Sequence, residues 1–498
     1  MNNTKINFKK VLKQTTALTL STAFLIGGGI TTFAAENNSQ NYNDNYGISH
    51  ITRYNMLKIP GQQNSPQFKV PQFNASAIKN IDSAKGYDKS GNLIDLDVWD
   101  SWPLQNADGT AANYHGYHIV FALAGDPKNS NDTSIYLFYQ KVGDTSIDSW
   151  KNAGRVFKDS DKFVPNDPYL KYQTQEWSGS ATLTKDGQVR LFYTDYSGNT
   201  EDGGTGAGNQ IISTAQVNLS QPDAATLKVD AVSDHKSVFD GGDGTVYQNI
   251  QQFIDEGKWI SGDNHTLRDP HYVEDKGHKY LVFEANTGTT DGYQGDQSFN
   301  NKAYYGGSDV FFQNEKNKLL QSPKKQIASL ANGALGIVEL NDDYTVKSVM
   351  KPLIASNTVT DEIERANIFK MNNKWYLFTD SRGSKMTIDG INDKDVYMLG
   401  FVADSLNGPF KPLNENGLVL NMNLDPADLT FTYSHFAVPQ SEGNNVVITS
   451  YMTNRGFYPD HHSTFAPSFL LNIQGTKTSV VPNSILEQGQ LTVGDKNK

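Results

Sequence analysis

The strongest constraint on this chain is a unit that recurs five times. Each copy has a polar or aromatic head, a short strand, a turn and a strongly apolar strand. The first runs from Asp100 to His118-Ile119-Val120-Phe121-Ala122, and the second from Trp177-Ser178 through Asp186-Gly187 to Arg190-Leu191-Phe192-Tyr193-Thr194. The third passes from Arg268-Asp269 through Lys276-Gly277 to Tyr280-Leu281-Val282-Phe283, and the fourth from Glu364 through Asn372-Asn373 to Trp375-Tyr376-Leu377-Phe378. The fifth starts at Tyr433-Ser434-His435, turns at Gly443-Asn444 and continues Val446-Val447-Ile448-Thr449. Asp-Gly and Asn-containing turns between apolar runs are hairpin signals. The apolar strands begin roughly 70–95 residues apart, which leaves room for two more strands in each unit. The pattern predicts an all-β fold, a five-bladed β-propeller whose heads converge on a central, funnel-shaped pocket.

The ends of the chain read differently. Lys5, Lys9, Lys10 and Lys13 precede an apolar stretch from about Ala17 to Ile30, and Thr32-Phe33-Ala34 offers small residues for cleavage. Residues 1–34 are therefore expected to be a secretory signal peptide and residues 35–50 a polar leader, with one propeller domain over 51–498. The apolar stretch is shorter than the roughly 20 residues a membrane span needs. A secreted, extracellular protein with no membrane attachment after cleavage is expected. The formal charge is −11, and the signal segment carries four lysines and no acid, so the remainder is more acidic still. That balance argues against nucleic acid as a partner and suits a neutral substrate and a bound cation. There is no cysteine, so stability outside the cell must come from a large core, a metal ion or both. The 24 Tyr and 25 Phe supply core volume and flat surfaces for the C–H faces of sugars. A monomer is the expectation.

Three acidic motifs carry the chemistry: Trp99-Asp100-Ser101-Trp102-Pro103, Leu267-Arg268-Asp269-Pro270 and Asp361-Glu362-Ile363-Glu364-Arg365-Ala366-Asn367. Each sets carboxylates among aromatic, Arg or Pro residues. A single such Asp is ordinarily a turn or cap residue. Two carboxylates brought together in one cleft are the apparatus of glycosidic bond chemistry.

On these motifs the chain resembles glycoside hydrolase family 68, the levansucrase family, most of all its secreted members from Gram-positive bacilli. The stretches 96–126, 175–197, 263–295 and 360–387 carry the resemblance, which extends from about Tyr46 to the C-terminus. It implies a five-bladed propeller with a deep central pocket, sucrose as substrate, and fructan acceptors or water as partners. Retention at the transferred carbon requires a nucleophile and a separate acid/base. By match these are Asp100 and Glu364, with Asp269 as transition-state stabiliser. Trp99, Trp177, Ser178, Arg268, Glu362, Arg382 and Tyr433 match substrate-binding positions. Glu364 needs a raised pKa, which burial, Glu362 and Asp100 would favour and Arg365 oppose. The resemblance also implies a structural calcium ion held by Asp263, Gln294, the carbonyl of Leu330, Asn332 and Asp361, an all-oxygen set suited to a hard cation.

Other motifs are weaker. Asp240-Gly241-Gly242-Asp243-Gly244 lacks the spacing of a calcium loop and reads as a turn. His461-His462 reads as surface, and 204–208 as a loop. The segments 87–92 and 201–208 read as surface loops outside the family pattern. Nucleophile and acid/base are shared by enzymes that make β-2,6-fructan, by inulosucrases and by hydrolytic invertase-like enzymes, so the carboxylates leave linkage open. A non-catalytic glycan-binding propeller would keep the aromatics but has no need of all three acids.

Overall fold

The computed structural model describes residues 47–158, 164–198, 208–257, 263–425, 427–453 and 462–494. The signal segment, the leader as far as residue 46, His461 and residues 201–207 lie outside the described residues. Among the described residues no helix is long and apolar enough to cross a membrane.

Five blades follow one another along the chain; the first two are antiparallel four-stranded units joined into one eight-stranded sheet by a parallel pairing of Leu104-Gln105 with Ala181-Thr182. Blade I has strands Asp97–Gln105, Tyr117–Gly125, Ser134–Lys141 and Lys151–Arg155. Blade II has Gln175–Leu183, Val189–Ser197, Asn209–Asp223 and Thr226–Phe239. Blade III has Leu267–Asp275, His278–Asn286 and Gly333–Leu340, with Val346–Val349 and Ile354–Ala355 outside them. Blade IV is built on Glu364–Met371, Lys374–Arg382 and Val396–Ala403, and blade V on Thr432–Pro439, Asn445–Met452, Phe469–Gln474 and Lys477–Val480. The first strand of each blade begins at one of the five sequence heads. The hairpin turns hold as expected: Lys276 and Gly277 have φ of 51° and 85°, and Asn372 and Asn373 have 51° and 61°. Only Gly and Asn-like residues take such angles cheaply.

One boundary differs from the sequence reading. Ser49 and His50, assigned above to the leader, pair in parallel with Ile354 and Ala355 and extend blade III. Two residues carry too little pattern to read as a strand, and a tertiary partner makes one of them. The segment 87–92 caps a small hairpin, Lys85–Tyr87 with Leu93–Asp95. Its tip is closed by Asp88, which accepts from the backbone of Ser90 and Asn92. Asp240–Gly244 is a turn, with Asp240 accepting from the Gly242 N–H. His462 is a partly buried neighbour of Asp97, 3.3 Å away.

The core lies between the blades rather than within one layer. Val98, Val120 and Phe138 of blade I pack with Phe465 next to blade V, while Phe121, Leu191 and Tyr193 join blades I and II. Phe192, Leu267 and Phe283 join II and III, Val282, Ile337, Ile368 and Leu377 join III and IV, and Phe378, Val446 and Ile448 join IV and V. Alternating residues of every strand are therefore buried on both faces, and no single blade could bury its own.

All five inner strands are irregular at the same place. The ladder to the second strand slips between Trp99 and Ser101, Trp177 and Gly179, Arg268 and His271, Glu364 and Asn367, and Tyr433 and Phe436. Each slip is a β-bulge, which bends a strand and re-aims its side chains. Asp269, Arg365 and Ser434, inside three of them, have φ of 54°, 60° and 58°. A bulge leaves backbone groups unpaired in its own ladder, and neighbouring blades satisfy them. The Asp269 N–H donates to Thr194 Oγ1 of blade II at 3.0 Å, and the Arg365 N–H donates to Asp269 Oδ2 of blade III at 2.9 Å.

Gly179 closes the blade II bulge, and a Cβ there would sit 1.9 Å from the Phe192 carbonyl oxygen. Gly179→Ala should lower stability by about 1–3 kcal/mol, the usual cost of overpacking. Gly61→Ala, where a Cβ meets nothing within 4 Å, should change it little. Thermal unfolding of both variants measures this, and equal melting temperatures would refute it.

Candidate active site

The bulges bring the sequence heads to one end of the channel. Asp100 Oδ2 accepts a hydrogen bond from Ser178 Oγ at 2.9 Å, joining the heads of blades I and II. Trp177 stacks on Tyr196 with ring centroids 4.1 Å apart, and its indole N–H donates to Gln175 Oε1. Trp99 packs partly buried against the cluster between blades I and II. Asp269, from blade III, is buried and held through Oδ2 by the Arg365 N–H. Its carboxyl is raised above the usual Asp range by burial; Arg365 and Arg268 oppose this, and Asp100 adds to it.

Arg268 is the electrostatic centre of the cluster. Its Nε donates to Glu284 Oε2 at 2.7 Å, and its Nη2 reaches Glu364 Oε1 at 3.1 Å and Glu362 Oε2 at 3.2 Å. The three carboxylates it serves respond differently. Burial raises Glu364, Glu362 and Asp269 add to the rise, and Arg268 and Arg382 only partly oppose it, so its pKa stands at about 8. Its Oε2 makes no hydrogen bond, and Arg382 Nε lies 3.9 Å from it. Burial also pushes Glu362 upward, but Arg268, Lys385 and Arg382 outweigh it and hold the group below the usual range. Glu362 Oε2 lies 3.4 Å from Lys385 Nζ and accepts from Asn264 Nδ2 at 2.7 Å. Glu284 is fully buried and raised, first by burial. Two acids two residues apart are thus sorted by their cations, one toward a held proton and one toward a held charge.

Arg382 and Tyr433 complete the rim. Arg382 Nε donates to Tyr433 Oη at 3.2 Å, and its guanidinium lies 4.6 Å from the centre of that ring. Contacts therefore link Asp100 with Ser178, Asp269 with Arg365, Arg268 with Glu362 and Glu364, and Arg382 with Glu364 and Tyr433, while Trp99 and Trp177 stand beside Asp100 and Ser178 on the same inner strands.

A second polar cluster lies behind blade III. Asp263, Gln294, Leu330, Asn332 and Asp361 are all buried, with Gln294, Leu330 and Asn332 on the helical insertion between the second and third strands. The Gln294 amide is 3.3 Å from both Asp263 oxygens. Asp361 accepts from the Asn264 N–H at 2.9 Å and from Asn286 Nδ2 at 3.0 Å. Its carboxyl is raised well above the ordinary range, first by burial and then by Asp263. Two buried carboxylates acting against each other suit a hard divalent cation, while Gln294 here turns its amide nitrogen toward Asp263 and the Asn332 side-chain oxygen accepts from Asn286 Nδ2. Among the described residues no three His, Asp or Glu side chains converge to hold a metal; this set relies on two carboxylates and neutral oxygens.

Several polar residues of the site escaped the sequence reading. Glu284 and Asp380 face Arg268 and Glu364 across their ladders. Each lies in its strand within two residues of an apolar run, in Leu281-Val282-Phe283-Glu284 and Leu377-Phe378-Thr379-Asp380. An acid at the channel end of an apolar strand is the signal that could have found them. Asn264 and Lys385 carry no comparable signal, being ordinary polar residues in connecting segments.

The levansucrase/invertase description of glycoside hydrolase family 68 matches residues 41–492. The chain is 71% identical over 488 residues, 98% of its length and all of the relative's, to the levansucrase of Bacillus subtilis strain 168. It is 70% identical over the same span to a Geobacillus stearothermophilus protein named as an inactive levansucrase. A crystal structure of a doubly substituted B. subtilis levansucrase in complex with oligosaccharides superposes with a TM-score of 0.85, at 72% identity, covering 92% of this chain and all of that one. Full-length identity of this order sets the fold and the family, while the inactive relative shows that activity must be argued from the site. With its five-bladed propeller and its carboxylates gathered at one end of the channel, the chain belongs to glycoside hydrolase family 68, the levansucrase/invertase family.

Proposed function

We propose that this chain transfers the fructosyl unit of sucrose, with retention, to a growing β-2,6-fructan or to water, and releases glucose. The observation that carries the reading is that Asp100 and Glu364, from the inner strands of two blades, both lie within electrostatic reach of one guanidinium, that of Arg382. Asp100 is oriented by Ser178 Oγ at 2.9 Å, and Glu364 holds a proton near neutral pH with its pKa at about 8. Asp100 attacks the anomeric carbon while Glu364 protonates the departing glucose oxygen. The fructosyl-enzyme then yields to an acceptor hydroxyl, whose proton returns to Glu364. Asp269 braces the sugar hydroxyls as the ring flattens, an interaction that strengthens toward the transition state. Arg268, Glu362, Arg382 and Tyr433 orient hydroxyls, and Trp99 and Trp177 wall the pocket.

The remaining readings concern the protein's setting. A calcium ion held by Asp263, Gln294, Leu330, Asn332 and Asp361 would supply charge balance to the insertion behind blade III. Asp361 lies three residues before Glu364, so the ion would brace the entry to that strand. Export through residues 1–34 and a monomeric, extracellular enzyme fit the basic-then-apolar start and the absence of cysteine.

Glucose release from sucrose, with linkage analysis of the polymer, tests the whole reading; no glucose would refute it. Asp100→Ala should reduce turnover on the order of 10⁴-fold or more, and Glu364→Ala by about 10²–10⁴-fold. A near-normal rate in purified, folded Asp100→Ala would remove the nucleophile assignment.

The pH profile is a second test. Glu364 must be protonated to act as the acid, so sucrose turnover should fall as pH rises through about 8. Glu362→Gln removes a like charge and leaves more of Arg268 to Glu364, so this alkaline limb should move to lower pH. An unmoved limb in kcat would contradict the sorting of the two acids.

Calcium should raise the melting temperature by mass action on the native state, and Asp361→Ala should weaken that response. Identical melting of the unsubstituted protein with calcium and with chelator would exclude the ion.

A further inference from the structure

The mechanism above leaves a buried guanidinium beside Asp269 without a task. Arg365 follows Glu364 on the inner strand of blade IV and is 3% exposed. It stands inside the blade IV bulge, as Asp100 does in blade I and Asp269 in blade III. Its Nη2 donates to the Ser101 carbonyl at 2.8 Å, one residue from the nucleophile. Its backbone N–H donates to Asp269 Oδ2 at 2.9 Å. Its guanidinium lies 5.6 Å from the ring centre of Trp102 and 5.6 Å from that of Phe436. A side chain from blade IV therefore spans the channel to blade I, between rings of blades I and V, while blade III holds its main chain. Its φ of 60° is left-handed. A long side chain rarely adopts this conformation, and it persists only where the surroundings impose it.

We propose that Arg365 is a positioning residue for the fructosyl transfer: it ties the strand carrying Asp100 to the carboxylate of Asp269 and supplies the positive charge that balances Asp269. The inference rests on the roles proposed above for Asp100 and Asp269. The geometry suits Arg rather than Lys. A planar guanidinium can lie between two rings and still direct one N–H at a carbonyl, whereas an ammonium cannot do both. Its surroundings supply the matching charge. Asp269 faces it from blade III and Asp380 from the second strand of blade IV, while buried His271 is held neutral, its pKa down at about 3. Asp269 in turn feels Arg268 on its own strand, Asp100 from blade I, and Glu284 and Glu364 beyond Arg268.

The test uses Arg365→Met and Arg365→Lys in the full chain, with kcat and KM for glucose release from sucrose followed across pH. Burial already raises the Asp269 carboxyl and Arg365 opposes that rise, so its loss lets Asp269 take a proton at higher pH. Arg365→Met should therefore lose about 10²-fold or more in kcat, a size typical of a removed electrostatic group, with KM within about threefold. Its acid limb should move up by about one pH unit or more, the scale on which a nearby charge acts. Arg365→Lys should keep the acid limb of the unsubstituted enzyme and lose about tenfold in kcat, since the charge stays and the tie to Ser101 goes. Arg365→Met with an unmoved acid limb, or with its loss confined to KM, overturns the proposal. If Arg365→Met does not fold, Arg365→Lys decides alone: an acid limb displaced by a full unit, or an unchanged kcat, overturns it. Active unsubstituted enzyme with unaltered variants sinks only the role of Arg365; no glucose release from the unsubstituted enzyme sinks the transferase reading and this inference with it.

Discussion

Crowding like charges into a buried site is the constraint around which the channel is built. Asp100, Asp269, Glu284, Glu362, Glu364 and Asp380 share a region served by Arg268, Arg365, Arg382 and Lys385. Two unit charges about 4 Å apart interact by about 4 kcal/mol at an effective dielectric constant near 20. So many acids cannot all be ionised with fewer cations among them. The cations decide which carboxyl keeps its proton. Glu362 has Arg268 at 3.2 Å and Lys385 at 3.4 Å and is held as the charge. Glu364 shares only Arg268 closely and is left with the proton. An acid and an anion two residues apart in sequence thus need no difference in residue type, only a difference in neighbours.

That arrangement depends in turn on five bulges. A regular strand sends alternate side chains toward neighbouring blades, which is what packs the interblade core. It leaves no ready direction for a side chain aimed along the channel. The bulge supplies that direction at Asp100, Ser178, Asp269, Arg365 and Ser434. It also frees backbone N–H groups, and Thr194 and Asp269 take two of them up across the blade seams. Catalytic geometry and blade assembly therefore share the same hydrogen bonds. Backbone strain collects where the chemistry is, at Asp269 and Arg365, and the packing of four blades around them holds it.

The insertion between the second and third strands of blade III extends the same economy of charge. Asp263 and Asp361 are both buried, and the charge of each acts against the other. Arg53, by contrast, crosses from the N-terminal segment to Glu315 on the insertion at 2.9 Å and to the Thr358 carbonyl at 2.7 Å. One buried acid on the insertion is thus matched by a side chain of the N-terminal segment. That contact ties a cysteine-free insertion to the propeller.

The division between sequence and tertiary structure follows from the range of each interaction. Hairpin periodicity, the Lys276-Gly277 and Asn372-Asn373 turns and the motifs around Asp100, Asp269 and Glu364 are local, so the chain alone specified five blades and the acids at their heads. The strand at Ser49–His50 was not legible, because its only template is Ile354–Ala355, some 300 residues away. Nor were the roles of Glu284, Asp380, Asn264 and Lys385, which are common polar residues until folding sets them beside Arg268, Glu364 and Glu362. The sequence determined which carboxylates stand at the channel. Only the tertiary structure decided which of them holds a proton, because desolvation and the distances to Arg268, Lys385 and Arg382 exist nowhere in the unfolded chain.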